Sequence, residues 1–307
     1  MIDVVVVNWN AGGQLLQCVE SIREFGEKTV SSVTVVDNDS TDGSEECIER
    51  IQDVVLVRSG ENSGFGRACN LGASRGEAEF LLFLNPDAAL HAGTLREVMA
   101  FMRDPSNTQI GICGVQLIDG DGEVTRSCAR FPSVRGFCSH AIGLDRWFPA
   151  VGNIMSEWDH ANTREVNHVI GAFFLVRRKL FEALSGFDEQ YFVYLEDVDF
   201  SRRSYRLGWR SVYLASANAF HAGGGTSRQI KALRLFYSLR SRLLYSFKHF
   251  SWLGAAFVLL VTLLFEPLSR SALAMTRRSL SSLIETWAAY VLLWRWLPQW
   301  AFRGVTR

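Results

Sequence analysis

The chain has 307 residues, 48% of them hydrophobic, with 32 Lys+Arg against 32 Asp+Glu. This length and apolar content support a sizeable core and exclude a mainly disordered chain, and zero net charge argues against a dedicated nucleic-acid binder. The balance is uneven: residues after Thr226 include 12 basic and 2 acidic side chains, those up to it 20 and 30, so an acidic body precedes a basic, aromatic-rich tail.

Residues 2–7 read as a strand that starts almost at the first residue, so no secretory leader is expected and the first domain is expected in the cytosol. Leu15, Leu16, Val19 and Ile22 fall on one helix face. A second strand at 33–36, a short helix from about Gly43, a third strand at 54–57, another helix and a fourth strand at 80–84 follow. Near-continuous apolar strands separated by helices predict a parallel sheet covered on both faces, with ligands beyond the carboxyl ends of the strands. Those ends carry Asn8-Trp9-Asn10, Asp37-Asn38-Asp39-Ser40 and Asn85-Pro86-Asp87.

A strand at 110–118 and a turn at Asp119-Gly120-Asp121-Gly122 precede residues 126–165, which lack clear periodicity and read as an insertion or lid. A strand at 169–176, a helix at 177–184, Gly186-Phe187-Asp188-Glu189, a helix at 196–207 and a strand at 211–214 running towards His221 complete the body. The glycines Gly223-Gly224-Gly225 read as a flexible link. Cys18, Cys47, Cys69, Cys113, Cys128 and Cys138 form no C-x-x-C pair and no zinc-like spacing, so reduced, mostly buried thiols are expected.

In the tail, residues 253–265 carry no charge, a run shorter than the roughly 20 residues of a full membrane span. Trp287, Tyr290, Trp294, Trp296 and Trp300, mixed with Arg295 and Arg303, suit a lipid headgroup layer. A membrane-associating tail is expected. The alternative is a helical hairpin buried in a homo-oligomer, because apolar helices bury equally well against protein.

Five motifs occur in order: Val6-Val7-Asn8-Trp9-Asn10, Val36-Asp37-Asn38-Asp39-Ser40-Thr41-Asp42-Gly43-Ser44, Asn62 through Gly72, Phe83-Leu84-Asn85-Pro86-Asp87, and Gly186-Phe187-Asp188-Glu189 followed by Glu196-Asp197-Val198-Asp199. Together the set resembles the family 2 glycosyltransferases of GT-A fold, and within them the rhamnosyltransferase-like branch that builds bacterial cell-surface polysaccharides. The resemblance implies an α/β GT-A fold with a mostly parallel central sheet over residues 1–226, followed by a helical, membrane-associating or dimerising tail at 227–307. Within the first domain, 1–118 would form the nucleotide-binding half, 126–165 the insertion and 166–226 the acceptor and catalytic half.

The reaction the resemblance implies is an inverting transfer of L-rhamnose from dTDP-rhamnose to a polyprenyl-linked glycan at the cytoplasmic face of the inner membrane. A UDP-hexose or galactofuranose donor, or a non-catalytic nucleotide-sugar-binding scaffold, stays open.

A carboxylate after a buried strand can accept hydrogen bonds from a pyrimidine imide and ribose hydroxyls, and the resemblance assigns Asp37 to the nucleobase with Asp39 nearby. Asp39, Ser40 and Asp42 could equally form a turn and cap the next helix. Asn8 and Asn10 are further nucleotide-sugar-binding candidates. Gly64-Phe65-Gly66 looks like part of a dinucleotide loop but follows the third strand, which argues against that fingerprint. In the resembled family this loop and helix shape the nucleotide pocket, which makes Asn62, Gly64 and Asn70 binding candidates. Asn85-Pro86-Asp87 stands where the family usually has an Asp-x-Asp metal motif, and Asn85 departs from it. Asp87 would then hold Mg²⁺ or Mn²⁺ with substrate phosphates and His221, whose position matches the family's metal-ligand histidine.

By the same resemblance Asp197 is the general base that takes the proton of the acceptor hydroxyl. Glu196, Asp197 and Asp199 could instead be first-turn acids of a helix, paired with Arg202 and Arg203. Asp188, Glu189 and Glu196 are assigned to the acceptor side. Direct displacement requires no nucleophilic side chain.

Overall fold

In the computed structural model, which describes residues 1–223 and 231–306, seven consecutive buried residues form β1 (Ile2–Asn8). Its four valines are stiff, β-branched and packed on both faces, the condition of a central parallel strand. β1 pairs in parallel with β2 (Val30–Asp37), and β2 in parallel with β3 (Val54–Arg58). On its other side β1 pairs in parallel with β4 (Phe80–Leu84). α1 (Gly13–Phe25) buries Leu15, Val19 and Ile22, with Leu16 half-buried, and α2 (Phe65–Ala73) packs against β1 and β2.

The rest of the sheet is mixed. After β5 (Ala88–Leu90), α3 (Thr94–Arg103) and β6 (Ile110–Ile118) come two short strands, β7 (Cys128–Ala129) and β8 (Arg164–Val166). The single strand expected at 169–176 is two: β9 (His168–Val169) pairs with β7, and β10 (Phe173–Arg177) lies antiparallel between β4 and β6. β11 (Arg210–His221) continues well past the expected end at 214; it runs parallel to β6 and antiparallel to β5 and β8. Its register with β6 slips between Leu214 and Asn218, so residues 215–217 form a bulge with no partner on β6. Thr163 Oγ1 accepts the bulge amide of Ala215 at 3.0 Å. The sheet order is β3-β2-β1-β4-β10-β6-β11-β5, with β8 on β11. α5 (Arg178–Ala183) and α6 (Glu196–Arg206) complete this part.

The helix expected from Gly43 is absent. Asp42 accepts the Ser44 amide (3.0 Å) and hydroxyl (2.6 Å) and the Gly12 amide (2.9 Å), Gly43 has φ +72°, and only a 3₁₀ turn, Ile48–Arg50, follows. Side-chain to backbone bonds of this kind hold a turn in place of a helix.

Two compact units emerge, and they depart from the expected boundaries at 126 and 165. The first holds Met1–Arg130, Trp158–Glu189 and Glu196–Thr226; the second holds Phe131–Glu157, Gln190–Leu195 and Ser227–Arg307. The segment read as one insertion, 126–165, therefore splits, with its middle grouped with the tail. Gly224, Gly225 and the boundary at Thr226 lie outside the described residues.

The second unit is helical: α4 (Val134–Ala141), α7 (Lys231–His249), α8 (Trp252–Leu260), α9 (Glu266–Thr276) and α10 (Leu280–Arg303). A π-helical turn, Val261–Phe265, joins α8 to α9, giving one helix, Trp252–Thr276, long and apolar enough to cross a membrane by length and composition. The helix thus continues through Glu266-Pro267, past the end of the uncharged run at 253–265. Pro267 sits in the first turn of α9, and the wider bonding of the π turn just before it accommodates the missing N–H.

This helix buries a charged residue and exposes several large apolar ones. Glu266 is 0% exposed and paired with Arg242 and with Arg270 (Nη2 at 2.8 Å), while Trp252, Leu253, Phe257, Leu264 and Leu268 face outwards. Of the tail aromatics expected at a headgroup layer, Tyr290 and Trp296 are buried, Tyr290 donating its hydroxyl to the Thr262 carbonyl at 2.9 Å. All six cysteines are free, and burial pushes the Cys113 thiol up to about 12.

Candidate active site

The parallel pairing of β1 and β2 sets Asn8 beside Asp37. Asn8 is 0% exposed, and its Nδ2 lies 2.8 Å from Asp37 Oδ1, 3.0 Å from Ser40 Oγ and 2.8 Å from Ser44 Oγ. An amide nitrogen has two protons, so Asn8 is committed to holding Asp37 and its turn and offers no donor to solvent. Asp37 is 4% exposed and its Oδ2 accepts the Ser40 amide at 3.2 Å. Asn10, with φ +54°, accepts the Thr41 amide at 2.7 Å, and Asp39 is exposed in a left-handed conformation, φ +68°.

Asn38 extends this edge. It donates to Asn62 Oδ1 (3.0 Å) and accepts the Ser63 amide (3.0 Å), while Asn62 also accepts the Gly64 amide (3.2 Å). These bonds draw the 62–64 loop to the end of β2, where Gly64, φ +87°, opens α2. Asn70 faces elsewhere: it accepts the Phe187 amide (2.9 Å) and donates to the Phe187 carbonyl (2.9 Å) and Glu189 Oε1 (3.2 Å). It therefore staples the 186–189 turn. Gly186 is needed there, because φ is +75° and a Cβ would stand 2.4 Å from Asn70 Oδ1.

Asp87 and His221 meet where β5 pairs with β11. His221 Nε2 is 3.4 Å from Asp87 Oδ1, with both side chains largely shielded. Cis ligands of a cation held at about 2.1 Å stand about 3.0 Å apart, so this pair fits two positions of a divalent ion. Among the described residues no group of three or more His, Cys, Asp or Glu could hold a metal, so further positions would fall to substrate oxygens and water.

The N-terminal end of antiparallel β10 lies at the same edge, where the Asn85 amide donates to the Ala172 carbonyl at 3.0 Å. One residue earlier, the Gly171 amide donates to Asp197 Oδ2 at 3.0 Å, which ties the start of α6 to this end of the sheet. Asp197 Oδ1 accepts the Val198 amide at 2.8 Å, and His168 Nε2 is 3.4 Å from Oδ2. Burial opposes ionisation of Asp197, but His168 and the two amides outweigh it and hold the carboxyl below its ordinary range. Glu196 is the reverse: burial, then the charges of Asp197 and Asp199, raise it well above its ordinary 4.5, and its Oε2 is buried without a hydrogen-bond partner. Asp199 is paired with Arg203 (2.7 Å), which also donates to the carbonyls of Leu184 and Gly186.

The structure thus gathers Asn8, Asn10, Asp37, Asp39, Asn62 and Gly64 at one strand end, Asp87 with His221, and Asp197 with Glu196 at the same side of the sheet as Asn85. Asn70 and Glu189 join through the 186–189 turn that also holds Asp188. Asn38 and His168 were not expected. Asn38 stood within a polar cluster and could have been singled out; His168 stood one residue before the run at 169–176 that reads as one apolar strand.

The glycosyl transferase family 2 model matches residues 3–185, more than half of the chain. The chain belongs to glycosyl transferase family 2. The N-acetylglucosaminyl-diphospho-decaprenol L-rhamnosyltransferase of Mycobacterium tuberculosis is 33% identical over 236 residues, covering 72% of this chain and 76% of that protein. The O-antigen chain rhamnosyltransferase WbaN of Salmonella anatum is 25% identical over 74% of this chain and 67% of its own length. Among solved structures, the mannosyltransferase PcManGT of Pyrobaculum calidifontis, in complex with GDP-Man and Mn²⁺, superimposes with TM-score 0.57 at 18% identity, covering 95% of this chain and 86% of that one. The protein is accordingly a glycosyltransferase with a GT-A fold, in the rhamnosyltransferase-like branch of the family, and a helical C-terminal region follows its mixed α/β sheet.

Proposed function

We propose that this glycosyltransferase transfers L-rhamnose from dTDP-L-rhamnose, with inversion, to a polyprenyl-diphosphate-linked glycan at the cytoplasmic face of the plasma membrane. The observation that carries the reading is the clustering of buried Asp37, the Asp87–His221 pair and the amide-bound Asp197 on one side of one sheet. The 33% identical N-acetylglucosaminyl-diphospho-decaprenol L-rhamnosyltransferase of Mycobacterium tuberculosis supports both the sugar and the acceptor class.

In this reading Asp37 accepts hydrogen bonds from the pyrimidine and ribose, with the loop of Asn62 and Gly64 closing on the nucleotide. Asp87 and His221 would hold a divalent cation, Mn²⁺ or Mg²⁺, which when bound offsets the charge of the diphosphate. Mn²⁺ accompanies the nucleotide sugar in the PcManGT complex, which supports a cation of this class. Asp197, ionised at neutral pH, takes the proton of the acceptor hydroxyl as its oxygen bonds to the anomeric carbon and the nucleoside diphosphate departs with the C–O electron pair. Asp188, Glu189 and Glu196 border the acceptor. The outward apolar face of Trp252–Thr276 and the basic composition of the tail support docking of the second unit on an anionic lipid surface.

The test is turnover of purified protein on N-acetylglucosaminyl-diphospho-polyprenol with dTDP-rhamnose, UDP-glucose, UDP-galactofuranose or GDP-mannose, with and without EDTA. Use of dTDP-rhamnose alone, lost in EDTA, is the expected result. Preference for another donor would overturn the donor assignment, and donor binding without turnover would favour a scaffold.

A further inference from the structure

His168 is 2% exposed on β9 and reaches two residues one turn apart on α6. Its Nε2 lies 3.4 Å from Asp197 Oδ2 and its Nδ1 3.0 Å from Ser201 Oγ. Each carboxylate oxygen has two lone pairs. Oδ2 already takes the Gly171 amide, so a second donor from His168 would fill it, whereas among the described residues Oδ1 takes only the Val198 amide.

We propose that His168 is a positioning residue for proton abstraction: its Nε2–H donates to Asp197 Oδ2 and so presents Oδ1 to the acceptor hydroxyl. The Ser201 hydroxyl, 3.0 Å from Nδ1, holds the ring in that orientation, as a second partner does for many working histidines. The 3.4 Å separation suits a contact that tightens once substrate is bound. The titratable groups facing Asp197 are His168 from β9, Cys69 from α2 and Glu196 on α6 itself, Asp199 being paired with Arg203. The inference rests on Asp197 as the base.

The experiment compares His168→Leu, His168→Gln, Ser201→Ala and Asp197→Asn for kcat, donor KM and the acid limb of kcat against pH, in the full-length protein. Loss of an outer partner of this kind typically costs 10–100-fold, so His168→Leu is expected to lower kcat by about that factor with donor KM unchanged. Its acid limb should move to higher pH, because a donor that favours the carboxylate is gone. Gln keeps a donor at the same reach and should restore most of kcat and the wild-type limb, an outcome a purely space-filling role would not produce. Wild-type kcat and acid limb in His168→Leu, with Asp197→Asn inactive, would overturn the positioning role alone; turnover retained by Asp197→Asn would instead sink the base assignment. Should His168→Leu not fold, Ser201→Ala decides: a smaller fall in kcat with the same direction of pH shift supports the proposal, and an unchanged profile overturns it.

Discussion

His221 stands with its Nε2 3.4 Å from Asp87 Oδ1, the two brought together by the antiparallel pairing of β11 with β5. Two donors at this separation make a partial coordination shell, and each has little to replace it among the described residues. Asp87→Ala and His221→Ala should therefore each weaken Mn²⁺-dependent donor binding by at least about 10- to 100-fold, the range seen even for outer-shell partners. Calorimetric titration of dTDP-rhamnose with and without Mn²⁺ measures this; unchanged affinity in either variant removes that residue from the site.

Glu196 sets a pH dependence of stability. Below its ordinary 4.5 the carboxyl is protonated in both folded and unfolded chains and costs nothing; as pH rises, the unfolded chain loses the proton first, and stability falls until the raised folded value is passed. Asp197, held low, acts oppositely, contributing stability above its ordinary 3.8 that is lost as pH falls. Glu196→Gln should leave Tm unchanged near pH 4 and raise it progressively over wild type towards pH 7. A constant Tm difference across that range would contradict the assignment.

In the second unit, Glu266 is fully buried between Arg242, 4% exposed, and Arg270. Removing one partner of a buried pair strands the other charge, at a cost of about 3–5 kcal/mol. Glu266→Ala should lower unfolding free energy by that amount in a denaturant titration; a change below about 1 kcal/mol, typical of exposed pairs, would mean the arginines reach water.

The outward face of Trp252–Thr276 provides a further test. Flotation with anionic vesicles should be strong at low salt and weaken as salt rises, since each Lys or Arg near such a surface contributes about 1 kcal/mol and is screened within a Debye length. Replacing the exposed Leu253, Phe257 and Leu264 together by Ser should abolish flotation while leaving Tm close to wild type. Failure of the wild-type protein to float, with a stable homodimer in solution, would transfer this face to a protein interface.

The parallel half of the sheet is legible in the sequence because burial on both faces demands unbroken β-branched runs, and Asp37 and Asn8 stand where such strands end. The α1 face is legible for the same reason, its apolar spacing matching the helical repeat. The turn at Asp42 is not, since Asp, Ser and Gly serve equally well to cap a helix or to replace one. Nor is the helix through Pro267, which depends on a π turn that no local pattern announces. Composition marks the tail as aromatic but does not say which ring faces inwards, so Tyr290 and Trp296 in the bundle could not be separated from Trp287 and Trp294 at its surface. His168 was hidden because its two partners lie on a distant helix and only the fold brings them together.

The bulge at residues 215–217 gives β11 two registers in one strand. Upstream, Ser211 to Leu214 are locked to β6 by core packing; downstream, Ala219 to His221 are locked to β5, and a one-residue slip there would turn the imidazole to the opposite face. Between these locks the three bulge residues have no partner on β6 and are held instead by the bond of the Ala215 amide to Thr163 and by the burial of Ala217. A length change there falls outside both pairings, whereas the same change two residues later would break the register with β5 that sets His221. The strand thus isolates the tolerance of the scaffold from the tolerance of the ligand it carries.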